Sequence, residues 1–161
     1  MSLIKDFTDF EAFKRCRDFT RKVGGLIRKE MIATKDLDLA RQIRRASVSI
    51  LSNFAEGYER EGRQEFLQFL SFSKGSVGEV RAQLMYAVDE GYLEEAQQQQ
   101  ADQIGKEATC LVGGLMKHLS SCEIAGRKYL GRNRSAPKLG NKPAPSETQN
   151  SKPKARNHKP A

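Results

Sequence analysis

Apolar residues recur along the chain at intervals of three and four, the spacing that places side chains on one face of an α-helix. The clearest case is the stretch 41–92, where two such series are separated by a short polar segment that begins at Gly57 and ends at Gly62. Two apolar stripes joined by a tight break predict an antiparallel helical hairpin. The stripes are Ile43, Ala46, Ile50 and Phe54 in the first helix, and Phe66, Phe69, Leu70, Ser73, Val77, Val80, Leu84 and Val88 in the second.

One further helix is predicted on each side of the hairpin. Before it, Thr8 and Glu11 are spaced as a capping box, in which each side chain accepts a hydrogen bond from the other residue's backbone N–H. After it, Gly91 suits the left-handed position past a helix end, and Glu94 and Glu95 favour the start of the next helix. The predicted bounds are 37–58 for the second helix, with Thr34, Asp36 and Asp38 as candidate N-caps, and 63–90 for the third. The expected inward positions are Phe10, Phe13, Cys16, Thr20, Val23 and Ile27 in the first helix, and Ile104, Ala108, Leu111, Val112, Leu115, Met116 and Leu119 in the fourth.

Glycine occurs inside three of the four predicted helices, although each interior glycine costs about 1 kcal/mol relative to alanine. A close approach of two backbones, or a local bend, compensates for such a cost. The segment Gly75-Ser76-Val77-Gly78 is the best candidate, because small residues at this spacing form a shallow groove for another helix. We expect that helix to belong to the same bundle, although a helix of a neighbouring subunit would also fit.

The composition changes after residue 125. All five prolines follow it, so the first part of the chain is free of the strongest helix breaker. From Gly126 onward the chain has ten Lys or Arg, one acid and few apolar residues, which leaves too little surface to bury for a stable fold. The sequence therefore predicts an all-α protein: an antiparallel, up-down four-helix bundle over residues 1–125, and a disordered Lys/Arg/Pro-rich tail over residues 126–161.

Cysteine and histidine are too few and too scattered to indicate a zinc site or a disulfide framework. The three cysteines are an odd number without C-x-x-C spacing, and the chain has two histidines. The N-terminus has no signal-peptide pattern, and no apolar run approaches the roughly 18 residues of a membrane span. We therefore expect reduced thiols and a cytoplasmic location.

Positive charge follows one side of the predicted first helix in two columns that repeat every seven residues, and it continues at the start of the second helix. Clustered cations favour a phosphate-rich partner, and a flexible cationic tail adds affinity without sequence specificity. The alternatives are a solvated helix face and a solubilising tail. The predicted RNA- or DNA-binding residues are Lys14, Arg15, Arg21, Lys22, Arg28, Lys29, Arg41, Arg44 and Arg45.

Polar residues within the hairpin predict a structural hydrogen-bond network, because partly buried polar groups must be paired. Its expected members are Ser49, Asn53 and Glu56 on one helix and Ser76 and Glu79 on the other. The sharper alternative is a binding or catalytic role for Glu56 and Glu79.

Catalytic chemistry is not predicted. The chain has no G-x-S-x-G motif, no P-loop and no Cys with a plausible His partner. Glutamates between residues 56 and 65 could hold a metal ion, but Arg60 and Arg63 lie among them, and a charged loop is the preferred interpretation. We therefore expect a non-enzymatic protein with no metal site and no cofactor.

The hairpin resembles the four-helix-bundle proteins encoded in intervening sequences of bacterial 23S ribosomal RNA genes. Two departures are Leu51, where the family usually has proline, and Gly78, where a larger residue is common. The first should leave the second helix straighter or with one more backbone hydrogen bond. The matching residues are Arg44, Arg45, Ala46, Val48, Ser49, Ile50, Ser52, Asn53, Ala55, Glu56 and Gly57, followed by Glu65, Phe66, Phe69, Leu70, Gly75, Ser76, Glu79, Gln83, Leu84, Gly91, Tyr92 and Leu93.

This resemblance implies a four-helix bundle that assembles into a ring-like homopentamer, with nucleic-acid binding as the usual suggestion for the family. The fold is also similar to that of the accessory variability protein of diversity-generating retroelements, which is a partner of a reverse transcriptase. The resemblance therefore leaves two functions open: an oligomer that binds RNA or DNA directly, and a scaffold that binds a reverse transcriptase and its template RNA. The basic tail is not part of the family pattern.

Overall fold

The computed structural model describes residues 4–31, 36–60 and 62–121, and these residues form an all-α four-helix bundle. Helix α1 spans Glu11–Leu26, α2 Leu37–Glu59, α3 Arg63–Asp89 and α4 Glu95–Ser121. A 3₁₀ turn, Phe7–Asp9, precedes α1, and a π-helical turn, Ile27–Met31, follows it. The predicted tail from residue 126 lies outside the described residues.

Each helix packs antiparallel to the next in sequence, and α4 returns to α1. The α2–α3 pairing is the most extensive and the α1–α2 pairing is the least extensive of the four. Two contacts show the direction of α2 and α3: Ser49 meets Ser76, and Gly57, further along α2, lies against Phe69, earlier in α3. In the same way, Arg15 and Lys22 of α1 reach Glu107 and Gln100 of α4. The up-down bundle predicted from the sequence is confirmed.

The start of α1 differs from the prediction. A capping box forms at Asp6 and Asp9, on the 3₁₀ turn before α1. The Asp6 carboxylate accepts a hydrogen bond from the Thr8 amide at 2.9 Å, and the Asp9 carboxylate accepts one from the Asp6 amide at 3.0 Å. Helix α1 then begins at Glu11 after Phe10, which makes no side-chain capping bond. The Thr8–Glu11 box was therefore wrong, because a carboxylate two residues earlier competes successfully for the free N–H groups.

The remaining helix ends follow their local sequence signals closely. Asp36, one of three candidates, caps α2 by accepting a hydrogen bond from the Leu39 amide at 3.0 Å. Gly91 adopts a φ of 73°, as predicted for the residue past the end of α3. The break in the hairpin is shorter than expected, because α2 continues to Glu59 and carries Gly57 inside it.

The core is an aromatic cluster at one end of the bundle and aliphatic side chains elsewhere. The Phe54 ring lies 5.3 Å from the Phe13 ring and 5.8 Å from the Phe10 and Phe66 rings, measured between centroids. Phe19 is fully buried but was not among the expected inward positions. Leu111 was expected inside and is 41% exposed. Both errors come from reading one helix alone, since burial depends on where the neighbouring helices lie.

Candidate nucleic-acid interface

The α2–α3 seam is held by hydroxyl and amide groups near its middle. Ser49 Oγ lies 2.9 Å from Ser76 Oγ, and Asn53 Nδ2 donates to the Ser49 hydroxyl and to the Ser49 carbonyl, both at 2.9 Å. The buried Ser73 hydroxyl donates to the Ile50 carbonyl at 2.8 Å. These bonds satisfy polar groups that packing has removed from water, so this side of α2 serves the fold.

The two glutamates predicted for this network lie outside it. The Glu56 carboxylate pairs with Arg60 at 2.8 Å, and Arg60 also reaches Glu65 at 3.3 Å, with all three side chains about half exposed. Glu79 is exposed and accepts a hydrogen bond from Gln83 at 3.2 Å. The network prediction needs correction for these two residues, because their longer side chains reach past the seam to solvent.

Close approach of the two helices occurs at a glycine that was not singled out for it. A Cβ added to Gly57 would overlap the Cβ of Phe69 and would lie 3.1 Å from the Phe66 ring. By contrast, a Cβ on Gly75 or Gly78 would have no heavy atom of the described residues within 4 Å outside its own helix. The expectation that these two glycines receive a helix of the same bundle was therefore wrong, and both lie exposed on the outer face of α3.

One of the two cationic columns of α1 faces α4 and is engaged there. Arg15 pairs with Glu107 and lies 3.6 Å from Asp18, and Lys22 donates to Gln100 at 2.8 Å. Hydrogen bonds from Gln103 and from Arg15 lower the pKa of the Glu107 carboxyl. At the end of this column Lys29 pairs with Glu30 at 3.2 Å. Charge on this side of α1 is therefore partly neutralised within the chain.

The other cationic column of α1 forms fewer ion pairs. Lys14 pairs with Glu11 at 2.6 Å, but Arg21 and Arg28 form no ion pair with another described residue. The same distinction holds at the start of α2. Arg41 pairs with Asp38 at 2.7 Å, whereas Arg44 and Arg45 are exposed and form no ion pair within the described ranges.

Arg28 and Arg44, two of these unpaired arginines, line the space between α1 and α2. This space, called the α1–α2 groove below, has a volume of about 300 Å³, with Gly24 and Arg28 on its α1 side and Arg44, Val48 and Leu51 on its α2 side. It adjoins a depression of about 610 Å³ on α1, whose lining includes Arg21 and Lys22 and which shares Gly24 and Arg28 with the groove. The groove exists because α1 and α2 pack less extensively than the other neighbouring helices.

Arg45 points to the other side of α2. It lines a separate depression of about 310 Å³ together with Ser49 and Glu79. The nine cations predicted as one surface are thus separated: Arg15 and Lys22 lie at the α1–α4 seam, Arg28 and Arg44 at the α1–α2 groove, and Arg45 on the α2–α3 side. Periodicity places a residue on a helix face, but only the positions of neighbouring helices decide which cations find an acid.

Sequence reasoning missed the apolar part of the groove. Val48 is 58% exposed although it lies between the arginines at 44 and 45 and the buried Ile50. Its isolation on an otherwise charged helix face was the available signal. Leu51, noted only as a replacement for proline, is half-buried at the same groove.

Reactive groups elsewhere in the described residues are few. Burial raises the pKa of the Cys16 thiol to about 12, so it stays protonated at neutral pH, while Cys110 is exposed. No group of three or more His, Cys, Asp or Glu side chains in the described part of the chain has an arrangement that could hold a metal ion. None of the described helices combines the length and the apolar character that a membrane crossing requires.

Comparison with known proteins identifies relatives by sequence and by fold. A family model described as 23S rRNA-intervening sequence protein matches residues 8–113. A solved structure of a protein of unknown function from the S23 ribosomal protein family of Bacteroides thetaiotaomicron VPI-5482 superposes with a TM-score of 0.62. That structure is 19% identical, and the alignment covers 66% of this chain and 95% of the other. No curated protein matches the chain.

Proposed function

The chain belongs to the 23S rRNA-intervening sequence protein family, and from this premise we propose that it is a non-enzymatic, oligomeric protein that binds RNA or DNA through phosphate contacts. The observation that carries the proposal is that Arg28 and Arg44 line the α1–α2 groove, and Arg21 lines the adjoining depression, without an ion pair to another described residue. Asp18 also lines that depression and lies 3.6 Å from Arg15. Three guanidinium groups that form no ion pair with the described residues, on one side of a bundle, offer a site for a polyanion.

The charge distribution supports contact with the nucleic-acid backbone. Binding of cationic side chains to phosphates releases condensed counterions, which favours association and requires no sequence recognition. The arginine groove would supply ordered contacts, and the ten Lys or Arg residues after Gly126 would add further non-specific affinity. In this proposal, Arg15 and Lys22 contribute less, because each already has a partner on α4.

Self-association forms the second part of the proposal. The outer face of α3 exposes three large apolar side chains, Phe72, Met85 and Tyr86, at 50–57% of their surface. Between Phe72 and the other two lie the exposed small residues Gly75 and Gly78, which leave room for a helix of another subunit. Exposed apolar side chains beside a groove of small residues are a surface that a helix of another subunit could cover. We propose a homo-oligomer that uses this face, with the pentamer implied by the family resemblance as its form.

Binding is tested by fluorescence anisotropy with a labelled RNA and the full chain, in which Gln replaces the ten Lys or Arg residues of the tail. The expected result is a linear fall of log affinity with log salt concentration, and weaker binding after substitution of Arg21, Arg28 and Arg44 by Gln. Affinity that is independent of salt, or that survives the triple substitution unchanged, would contradict the phosphate-contact proposal.

Self-association is tested by sedimentation of the full chain. Gly75→Leu should block the approach of another helix and shift the protein toward smaller species. Its matched control is Gly114→Leu on α4, another exposed helical glycine with no neighbouring side chain within 4 Å of an added Cβ. An unchanged mass for both variants would argue against the α3 face as the interface.

The same apolar face also supports a second candidate, an accessory scaffold that binds a reverse transcriptase and its template RNA. Phe72 packs edge-on against Phe69, with ring centroids 5.9 Å apart, and its exposed side is available to a partner protein. Co-purification of the full chain from its host distinguishes the candidates. Recovery of a reverse transcriptase with the wild-type chain but not with Phe72→Gln would favour the scaffold, whereas recovery of nucleic acid alone would favour direct binding.

A further inference from the structure

We propose that the α1–α2 groove holds an unpaired nucleotide of a single-stranded nucleic acid, with the phosphate between Arg28 and Arg44 and the base against Val48 and Leu51. This inference rests on the proposed function and makes it specific, because it names the state of the nucleic acid that the site selects.

Charge and apolar surface occur together in the α1–α2 groove. Arg28 belongs to the α1 side and Arg44 to the α2 side, so cations flank the space from both walls. Val48, 58% exposed, and Leu51, half-buried, line the α2 wall one and two turns beyond Arg44. A site for phosphate alone needs no exposed valine, whereas an unstacked base offers an apolar face to such a surface, and arginine planes also stack on bases.

The groove also contains a buried hydroxyl group. Ser47 lines the groove, only 8% of its surface is exposed, and its Oγ has no hydrogen-bond partner among the described residues. Most buried polar groups are paired, so an unpaired one at a groove indicates a missing partner. The donor and acceptor groups on a base edge would supply it, after rotation of the serine side chain.

The groove is small and continues into a second depression along α1. About 300 Å³ is at the lower end of the volumes found for small-molecule sites, which suits one nucleotide rather than a helix. Beyond Arg28 the space continues into the depression lined by Arg21, Lys22 and one acid, Asp18, where the backbone of an adjoining nucleotide would meet a net positive charge. A duplex would contact the arginines with its phosphates but would keep its bases stacked away from Val48.

Charge also decides between the possible occupants. The segment after Gly126 carries ten Lys or Arg and one acid, so the arginines of the groove would repel it. A second copy of the chain would have to place acidic side chains opposite Arg28 and Arg44 and an apolar side chain opposite Val48. A strand of nucleotides presents both chemistries at every residue.

The test compares three labelled probes of about twelve units, a length within the range that single-strand sites cover: a single-stranded RNA, the same backbone without bases, and an RNA duplex. The full chain with Gln in place of the basic tail residues should bind the single strand about tenfold more tightly than the abasic strand at equal salt. Val48→Asn should reduce this preference about fivefold and leave abasic binding unchanged, and Ser47→Ala should reduce it by a smaller factor. Because Val48 is exposed, we expect Val48→Asn to fold, and thermal melting of each variant checks this.

The matched control is Leu111→Asn, which changes another exposed apolar side chain, 41%, on α4. It should leave the preference for bases intact. Equal binding of the base-bearing and abasic strands, or equal effects of Val48→Asn and Leu111→Asn on the preference, would overturn the nucleotide site while leaving phosphate binding standing. Absence of binding to all three probes would overturn the proposed function as well. Dissociation of an oligomer by Val48→Asn, seen in sedimentation, would identify the groove as a contact between copies and would also overturn the inference.

Discussion

The two flanks of helix α2, one facing α3 and the other facing α1, differ in how closely they pack and in how their polar groups are paired. Toward α3 it is closed: Gly57 lies against Phe69, and hydroxyl groups of Ser49 and Ser73 bond across the seam. Toward α1 it is open, with an exposed valine and an arginine that has no acidic partner in the described residues. Residues that hold the fold together and residues available to a ligand therefore alternate along the same helix.

The largest expected effect concerns the closed flank. Gly57→Ala should destabilise the protein by about 2–3 kcal/mol, because the added methyl group overlaps Phe69 and the two helices must move apart. Chemical denaturation measures the change. Its matched control is Gly75→Ala, where the space around the added Cβ is open, and which should stabilise the protein by about 0.5 kcal/mol. Equal effects of the two substitutions would mean that α2 and α3 are not in close contact at Gly57.

A smaller effect is expected at the hydroxyl that crosses the seam. Ser73→Ala should cost about 1 kcal/mol, because it removes a buried hydrogen bond to the Ile50 carbonyl. Ser71→Ala, at an exposed position of the same helix, should change the free energy of unfolding by less than about 0.5 kcal/mol. If the two serines prove equivalent in denaturation, the seam does not depend on this bond.

The free energy of unfolding should depend on pH through the α3–α4 seam, which resembles the closed flank of α2. Burial alone would raise the pKa of the Asp102 carboxyl, but the hydrogen bonds from Arg81 at 2.6 Å and Lys106 at 2.8 Å outweigh it, and the net pKa is lowered from 3.8. A lowered pKa gives stability that is present above 3.8 and is lost as the pH falls through the value in the folded protein. Denaturation at a series of acidic pH values should show this loss, and Asp102→Asn should reduce it. Identical acid profiles for the two proteins would contradict the assignment.

The smallest effect on stability is expected at the open flank. Replacing Arg28 and Arg44 together by Gln should change the free energy of unfolding by less than about 0.5 kcal/mol, because neither has an acidic partner in the described residues to lose. The matched double substitution of Arg15 and Lys22 should cost about 1 kcal/mol, since both make contacts with α4. A reversed order in denaturation would mean that the groove arginines stabilise the fold.

Local signals predicted most of the fold. The apolar period, the Asp36 cap and Gly91 gave the helix bounds within a residue or two, since each depends on residues close in sequence. The errors involve competition or tertiary contact. Asp6 displaced Thr8 as the cap, and Gly57 rather than Gly75 proved to be the point of close approach.

The candidate site was predicted less completely than the fold. Its arginines were identified, because clustered charge is visible in the sequence. The division of these arginines into paired and unpaired residues was not predicted. Heptad spacing could not show that Arg15 pairs with Glu107, while Arg21 forms no ion pair with another described residue. The groove itself depends on the distance between α1 and α2, which no residue pattern within one helix specifies. The place of Val48 in a groove could be recognised only once that distance was known.

The central claim is that the open flank of α2, rather than the α1–α4 seam, meets the phosphates. The salt dependence of RNA binding tests it most directly, measured for the two double substitutions in the full chain with a neutralised tail. Because Arg28 and Arg44 are proposed to hold one phosphate, their loss should lower the slope of log affinity against log salt by about 0.7, the value for one phosphate contact on a single strand. Loss of Arg15 and Lys22 should lower it by less than half as much. An equal or larger change for the second pair would contradict the account.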